Sequence, residues 1–162
     1  MGWLYVISIL LVVLYVGTTI WEKKRVPESI SAMVYDLPRS WQWLWIVWME
    51  LSTFCLAPIL IERMPDSLRF LGFFLVSCLI FIGAMPIVEN SKNTVHNALA
   101  IIAGILTQVC VLILCPWCFL AWVILLWLCL YTVYKDVPAC VNGSGLFFVE
   151  ACCWLSLVLS LI

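Results

Sequence analysis

Two ionisable side chains stand inside apolar runs, Glu50 in WIVWMELSTF and Glu150 in LFFVEACCW, and two more, Glu89 and His96, stand at the ends of such runs on either side of NSKNTV. An isolated charge in hydrocarbon is costly, so such groups are protonated, paired, or turned toward a wet interior where a ligand or a proton can reach them. His96 is the only histidine, and with the cysteines dispersed it does not make a tetrahedral zinc set, so no metal site is expected. A second chemistry is carried by CPWC, where Cys115 and Cys118 have the C-x-x-C spacing that supports disulfide exchange at a helix start.

The elements that hold these groups follow from composition. Hydrophobic residues make up 66% of the 162 and charged residues 10%, far from globular usage. Apolar runs of about 18 or more residues read as membrane-spanning helices. No alternation of apolar and polar residues supports a barrel. The expected fold is all-α, a polytopic transmembrane helical bundle forming one integral domain over 1–162. Six spans fit best, at about 3–21, 41–61, 68–88, 95–114, 117–134 and 145–162. Residues 95–134 are nearly continuous apolar sequence, too long for one crossing, and Pro116 is where the chain is expected to break. A count of five spans is the alternative. In the second connection Pro65, Asp66 and Ser67 are expected to stop one helix and cap the next.

The charge balance, at −1, leaves no basic patch for a phosphate backbone, so nucleic acid is not an expected partner. The first span lacks a basic segment before it and a small-residue cleavage site after it, and reads as a retained helix. Val6 stands where a myristoylation signal wants Ser or Thr, so no lipid anchor is expected. Lys23, Lys24, Arg25, Arg39, Lys92 and Lys135 fall in connections one, three and five, against Arg63 and Arg69 on the other side. The positive-inside rule then puts those three connections in the cytoplasm and both termini outside.

Depth along the spans brings the ionisable groups together. Glu50 is ~13 Å and Glu150 ~8 Å from the same membrane side, and His96 and Glu89 lie at that side too. A polar cavity opening toward connections one, three and five is the reading. His96, Asn97, Ala100, Ala103, Gly104, Thr107 and Gln108 recur at three- and four-residue spacing on one face of the fourth span. That small, polar face suits either a ligand or close helix packing. His96 itself reads as a cavity group or as an interfacial residue bonded to a carbonyl or headgroup. Trp41, Trp45 and Trp48 are expected to form an interfacial belt. Trp43, seven residues before Glu50 on the same face, is a candidate ligand contact.

VPESISAMVYDLP, the Trp-rich span that follows it, and VHNALAIIAG after the third span resemble the six-helix membrane proteins of the Frag/DRAM group and related bacterial domains of unknown function. Those families are similar in span number, in the Pro- and Ser-containing segment after the first span, and in a histidine opening the fourth. The resemblance implies that Ser29, Ser31 and His96 carry over, with a lipid-linked or undefined role. Seven-helix hydrolases that arrange several histidines around a metal differ by one helix and by their histidine count.

The expected work is binding or handling a lipid-like amphipathic ligand whose polar head meets His96, Glu50, Glu150, Glu89, Asn97, Gln108 and Trp43. No cofactor is expected, and an enzyme is not the favoured reading. Membrane lipid and a lipid-like small molecule are the expected partners, together with a second copy or a partner helix. The rivals are a transporter or proton-coupled carrier using Glu50 and Glu150, a structural or interaction subunit, and a thiol oxidoreductase using Cys115 and Cys118.

Overall fold

The computed structural model describes residues 2–88, 94–124, 127 and 145–162. Five α-helices are described from end to end: α1 Gly2–Lys23, α2 Trp43–Arg63, α3 Arg69–Val88, α4 Thr94–Leu114 and α5 Gly145–Ser160. The described residues contain no strand. Four helical segments, Gly2–Lys23, Arg39–Arg63, Asp66–Ala84 and Val95–Leu114, are long and apolar enough to cross a membrane. Helices suit that setting because each closes its own backbone hydrogen bonds where no water is available. Large apolar side chains cover the outside, among them Leu10 and Leu14 of α1, Phe73, Phe74 and Phe81 of α3, and Ile101 and Ile105 of α4. Of the predicted fifth span, 121–124 is helical and most of the rest lies outside the described residues.

The helix ends have local causes. α1 stops where Lys24 turns left-handed, at φ 54°, and donates its backbone N–H to Ile20 O at 2.9 Å. α2 stops at Met64, whose N–H reaches Leu60 O at 3.2 Å before Pro65 breaks the ladder. The stop predicted at Pro65 is therefore present. The predicted cap is not: no side chain caps the short 3-10 turn Asp66–Leu68, and Asp66 instead pairs with Arg69 at 2.7 Å. α4 ends before Cys115, and Pro116 opens a 3-10 turn through Leu120, at the predicted break.

The helices pack in chain order, α1 on α2, α2 on α3, α3 on α4 and α4 on α5. The chain then closes on itself. Tyr5 of α1 donates its hydroxyl to Val158 O of α5 at 2.7 Å, and Arg63 at the end of α2 donates to Ile162 O at 3.1 Å. The first turns of α1, the end of α2 and the end of α5 thus share one end of the bundle. The larger core cluster joins α2, α3, α4 and α5 through Leu56, Leu60, Leu75, Cys110, Val111 and Leu157.

A second cluster fixes α1 to α2. Trp45 is 1% exposed and Trp48 9%, and Tyr15 stacks on Trp48 with ring centroids 4.2 Å apart. The Trp48 indole donates to Leu11 O at 2.7 Å, and Ser8 donates to Ser52 O at 3.1 Å. The predicted belt is corrected here. Trp41 is exposed, while Trp45 and Trp48 turn inward, because α1 offers them an aromatic ring and a carbonyl.

Candidate functional site

α2 and α3 are antiparallel across the short turn at 64–68, so residues equally far from that turn come level. Glu50 is thirteen residues before Arg63 and Gly83 fourteen after Arg69, which puts both ~20 Å from that end of the helices. The structure brings them together. A Cβ built on Gly83 would stand 3.1 Å from Glu50 Oε1 and 3.0 Å from Met49 Cβ. The carboxylate therefore rests against bare α3 backbone. On its other flank Trp43, Val47 and Phe54, seven and three residues before Glu50 and four after, are exposed on the same side of α2. Glu50 thus stands at the margin of the α2–α3 seam, half-buried, with apolar side chains around it. Among the described residues it has no hydrogen-bond or ionic partner.

Glu150 has a different setting. Its carboxylate accepts the backbone N–H of Ile30, the N–H of Ser31 at 3.3 Å and the Ser31 hydroxyl at 3.2 Å. Those amides open the 3-10 turn Ser31–Asp36, so Glu150 on α5 does the work of a capping side chain for a distant connector. Beside it the Phe147 N–H donates to Glu28 O at 2.9 Å, and Ser29, buried, lies 3.1 Å from the Ser31 hydroxyl. The connector is consequently latched to the first turns of α5, and Met33 and Val34 are fully buried beneath it.

Gln108 is also engaged by protein. Its amide nitrogen donates to the Ser156 hydroxyl at 3.3 Å and its oxygen accepts the Trp122 indole at 2.8 Å, which ties α4 to α5 and to the segment after Pro116. His96 is 5% exposed and lies on the inner face of α4 with Ala103, Thr107, Cys110 and Val111. Asn97, one residue on, is exposed, as is Trp43. Glu89 lies outside the described residues. Cys115 and Cys118, both half-buried, flank Pro116 and Trp117 in the turn after α4.

The candidate residues thus occupy separate settings: Glu50 in the α2–α3 seam, His96 inside α4, Gln108 in a polar knot, and Glu150 in the connector latch. Sequence reasoning missed Gly83, although counting outward from the Pro65 turn would have found it. It placed Ser29 and Ser31 only through a family resemblance; the contact of Ser31 with Glu150 spans 119 residues of chain and leaves no local signal. No family model, curated protein or solved structure matches the chain.

Proposed function

We propose that this multi-pass protein of the cell membrane binds or handles a lipid-like amphipathic molecule, whose polar group meets Glu50 in a polar recess. One observation carries the reading: a carboxylate within an apolar span, seven residues or ~10 Å from the start of α2 at Trp43, set against the bare backbone of Gly83, with no protein partner among the described residues. An amphiphile approaching sideways would lay its chain along Val47, Phe54 and Trp43, which are exposed on that side of α2. It would offer the carboxyl a hydrogen-bonding or cationic group. His96 stands apart from Glu50, on the inner face of α4, and is the second polar group proposed on the side of connections one, three and five. The resemblance to the Frag/DRAM group points to the same lipid-linked role.

Native mass spectrometry of protein released gently from membrane tests this. A lipid-sized companion mass is expected on the wild type and lost from a Glu50→Gln, His96→Ala variant. Folded proteins that carry the same masses, or none, sink the reading.

A proton-coupled carrier is the second reading, and the same free carboxylate favours it. Because Glu150 is committed to the connector, Glu50 is the carboxylate available to take and release a proton. Proton uptake by vesicles on imposing a solute gradient, present with Glu50→Asp and absent with Glu50→Gln, would favour the carrier over simple binding.

A further inference from the structure

Cys115 and Cys118 bracket Pro116 and Trp117 in the turn that follows α4. Cys115 leaves the helix in an extended conformation, and the Cys118 N–H returns to its carbonyl at 3.0 Å. A turn closed this way holds Cα atoms three residues apart within ~7 Å, close to the ~4.4–6.8 Å that a disulfide spans. Both cysteines are half-buried free thiols, whereas Cys55, Cys78, Cys110 and Cys152 are buried among the helices. Trp117, between the pair, is 78% exposed, so the turn is open on its outer side.

The position of the turn is an independent argument. Cys118 packs against the larger core cluster and lies near Tyr5, which is also near Arg63, at the end of the bundle where Arg63 meets Ile162. That end carries Arg63 and Arg69, the latter paired with Asp66. Lys23, Lys24, Arg25 and Arg39 lie in the connector at the opposite end. The positive-inside rule makes the CPWC end the non-cytoplasmic one, and there disulfides form and persist.

We infer that Cys115 and Cys118 are a redox-active dithiol that exchanges with disulfide-bearing partners at the non-cytoplasmic face. One cysteine, its proton released to water, attacks a partner disulfide. A mixed disulfide forms, and the displaced partner sulfur leaves as a thiolate and takes up a proton. The second cysteine, deprotonated in the same way, attacks its neighbour's sulfur and releases the other partner sulfur, which is protonated in turn. The pair ends as a disulfide, oxidised by two electrons, and the partner as two thiols; the reverse sequence restores the pair. This chemistry is separate from Glu50 and stands without it.

The test takes the full-length protein in membranes through graded ratios of reduced glutathione to glutathione disulfide, followed by acid quenching, alkylation under denaturing conditions and peptide mass analysis. As the disulfide fraction rises, the peptide holding Cys115 and Cys118 is expected to pass from a form alkylated at both to one alkylated at neither and two hydrogens lighter than the free dithiol. Cys55, Cys78 and Cys110 are expected to stay alkylated. Either Cys115→Ser or Cys118→Ser should abolish the internal disulfide and leave glutathione bound to the remaining cysteine. A pair that stays reduced at every ratio overturns the inference, as does separate glutathione uptake by both cysteines of the wild type. A membrane-impermeant maleimide added to sealed right-side-out vesicles should block the pair beforehand; its failure to do so overturns the assignment to the non-cytoplasmic face.

Discussion

At Gly83 the two closest neighbours of a built methyl are unequal in kind. Glu50 Oε1 is the far end of a side chain and can swing away, but Met49 Cβ, 3.0 Å off, moves only with the α2 backbone. Gly83→Ala is therefore expected to part the helices and cost about 1–3 kcal/mol. At Gly72, on the same interface, the nearest atom is Ile61 Cγ1 at 3.6 Å, an ordinary contact. Gly72→Ala is expected to be neutral or to gain up to about 1 kcal/mol from helix propensity. Unfolding equilibria in mixed micelles compare the two, and equal effects would deny Gly83 its role in seating the carboxylate. Gly104 offers a third case, since its Cβ would meet nothing within 4 Å while Ile101 and Ile105 beside it are exposed. Gly104→Leu is expected to leave a monomer undisturbed. Loss of an assembled form on gel filtration would instead reveal a partner helix on that face. At this scale the sequence singled out Glu50, because a carboxylate in an apolar run stands out in one dimension. Gly83 was hidden, because a glycine in a membrane helix is ordinary until the residue opposite is known.

One side chain, Glu150, makes three of the bonds that latch α5 to the first connector, beside the backbone bond from Phe147 to Glu28. Glu150→Ala would leave the Ile30 and Ser31 amides and the Ser31 hydroxyl without their acceptor. The expected cost is about 1–3 kcal/mol. Hydrogen exchange at Ile30 and Ser31 should quicken about ten- to a hundredfold, at tenfold per ~1.4 kcal/mol. Glu150→Gln retains one carbonyl acceptor and should fall between. Unchanged exchange together with loss of a bound lipid would move Glu150 from the latch to a ligand site. The helices were legible to within about two residues at most ends, because a bilayer demands long apolar runs and Pro65 and Pro116 interrupt them. The connector was not. Its 3-10 turn and the burial of Met33 and Val34 depend on residues of α5 more than a hundred positions away. The tryptophans failed as a belt for the same reason, since Tyr15 and the Leu11 carbonyl that draw Trp45 and Trp48 inward belong to another helix.

For the molecule as a whole, the contacts of Tyr5 with Val158 and of Arg63 with Ile162 place both chain ends at one end of the bundle. Reporters fused to the two termini are expected to give the same sidedness, outside, and one inserted between Lys24 and Pro38 the opposite. Opposite signals from the two termini would refute the even number of crossings, and an inverted pattern would refute the positive-inside assignment. Composition sufficed for the all-α class, since a chain two-thirds hydrophobic without strand-like alternation has few other solutions. The closure of the first helix on the last was invisible, because nothing in the apolar run around Tyr5 names its acceptor. That closure has a consequence in time. Val158 follows Tyr5 by 153 residues, and at roughly 5–20 residues per second of synthesis it emerges about 8–30 s later. For that interval α1 must be kept by α2 alone, through Ser8 and the Trp48 indole. The nascent protein is thus a two-helix hairpin before it is a bundle, and the tyrosine is the clasp fastened last.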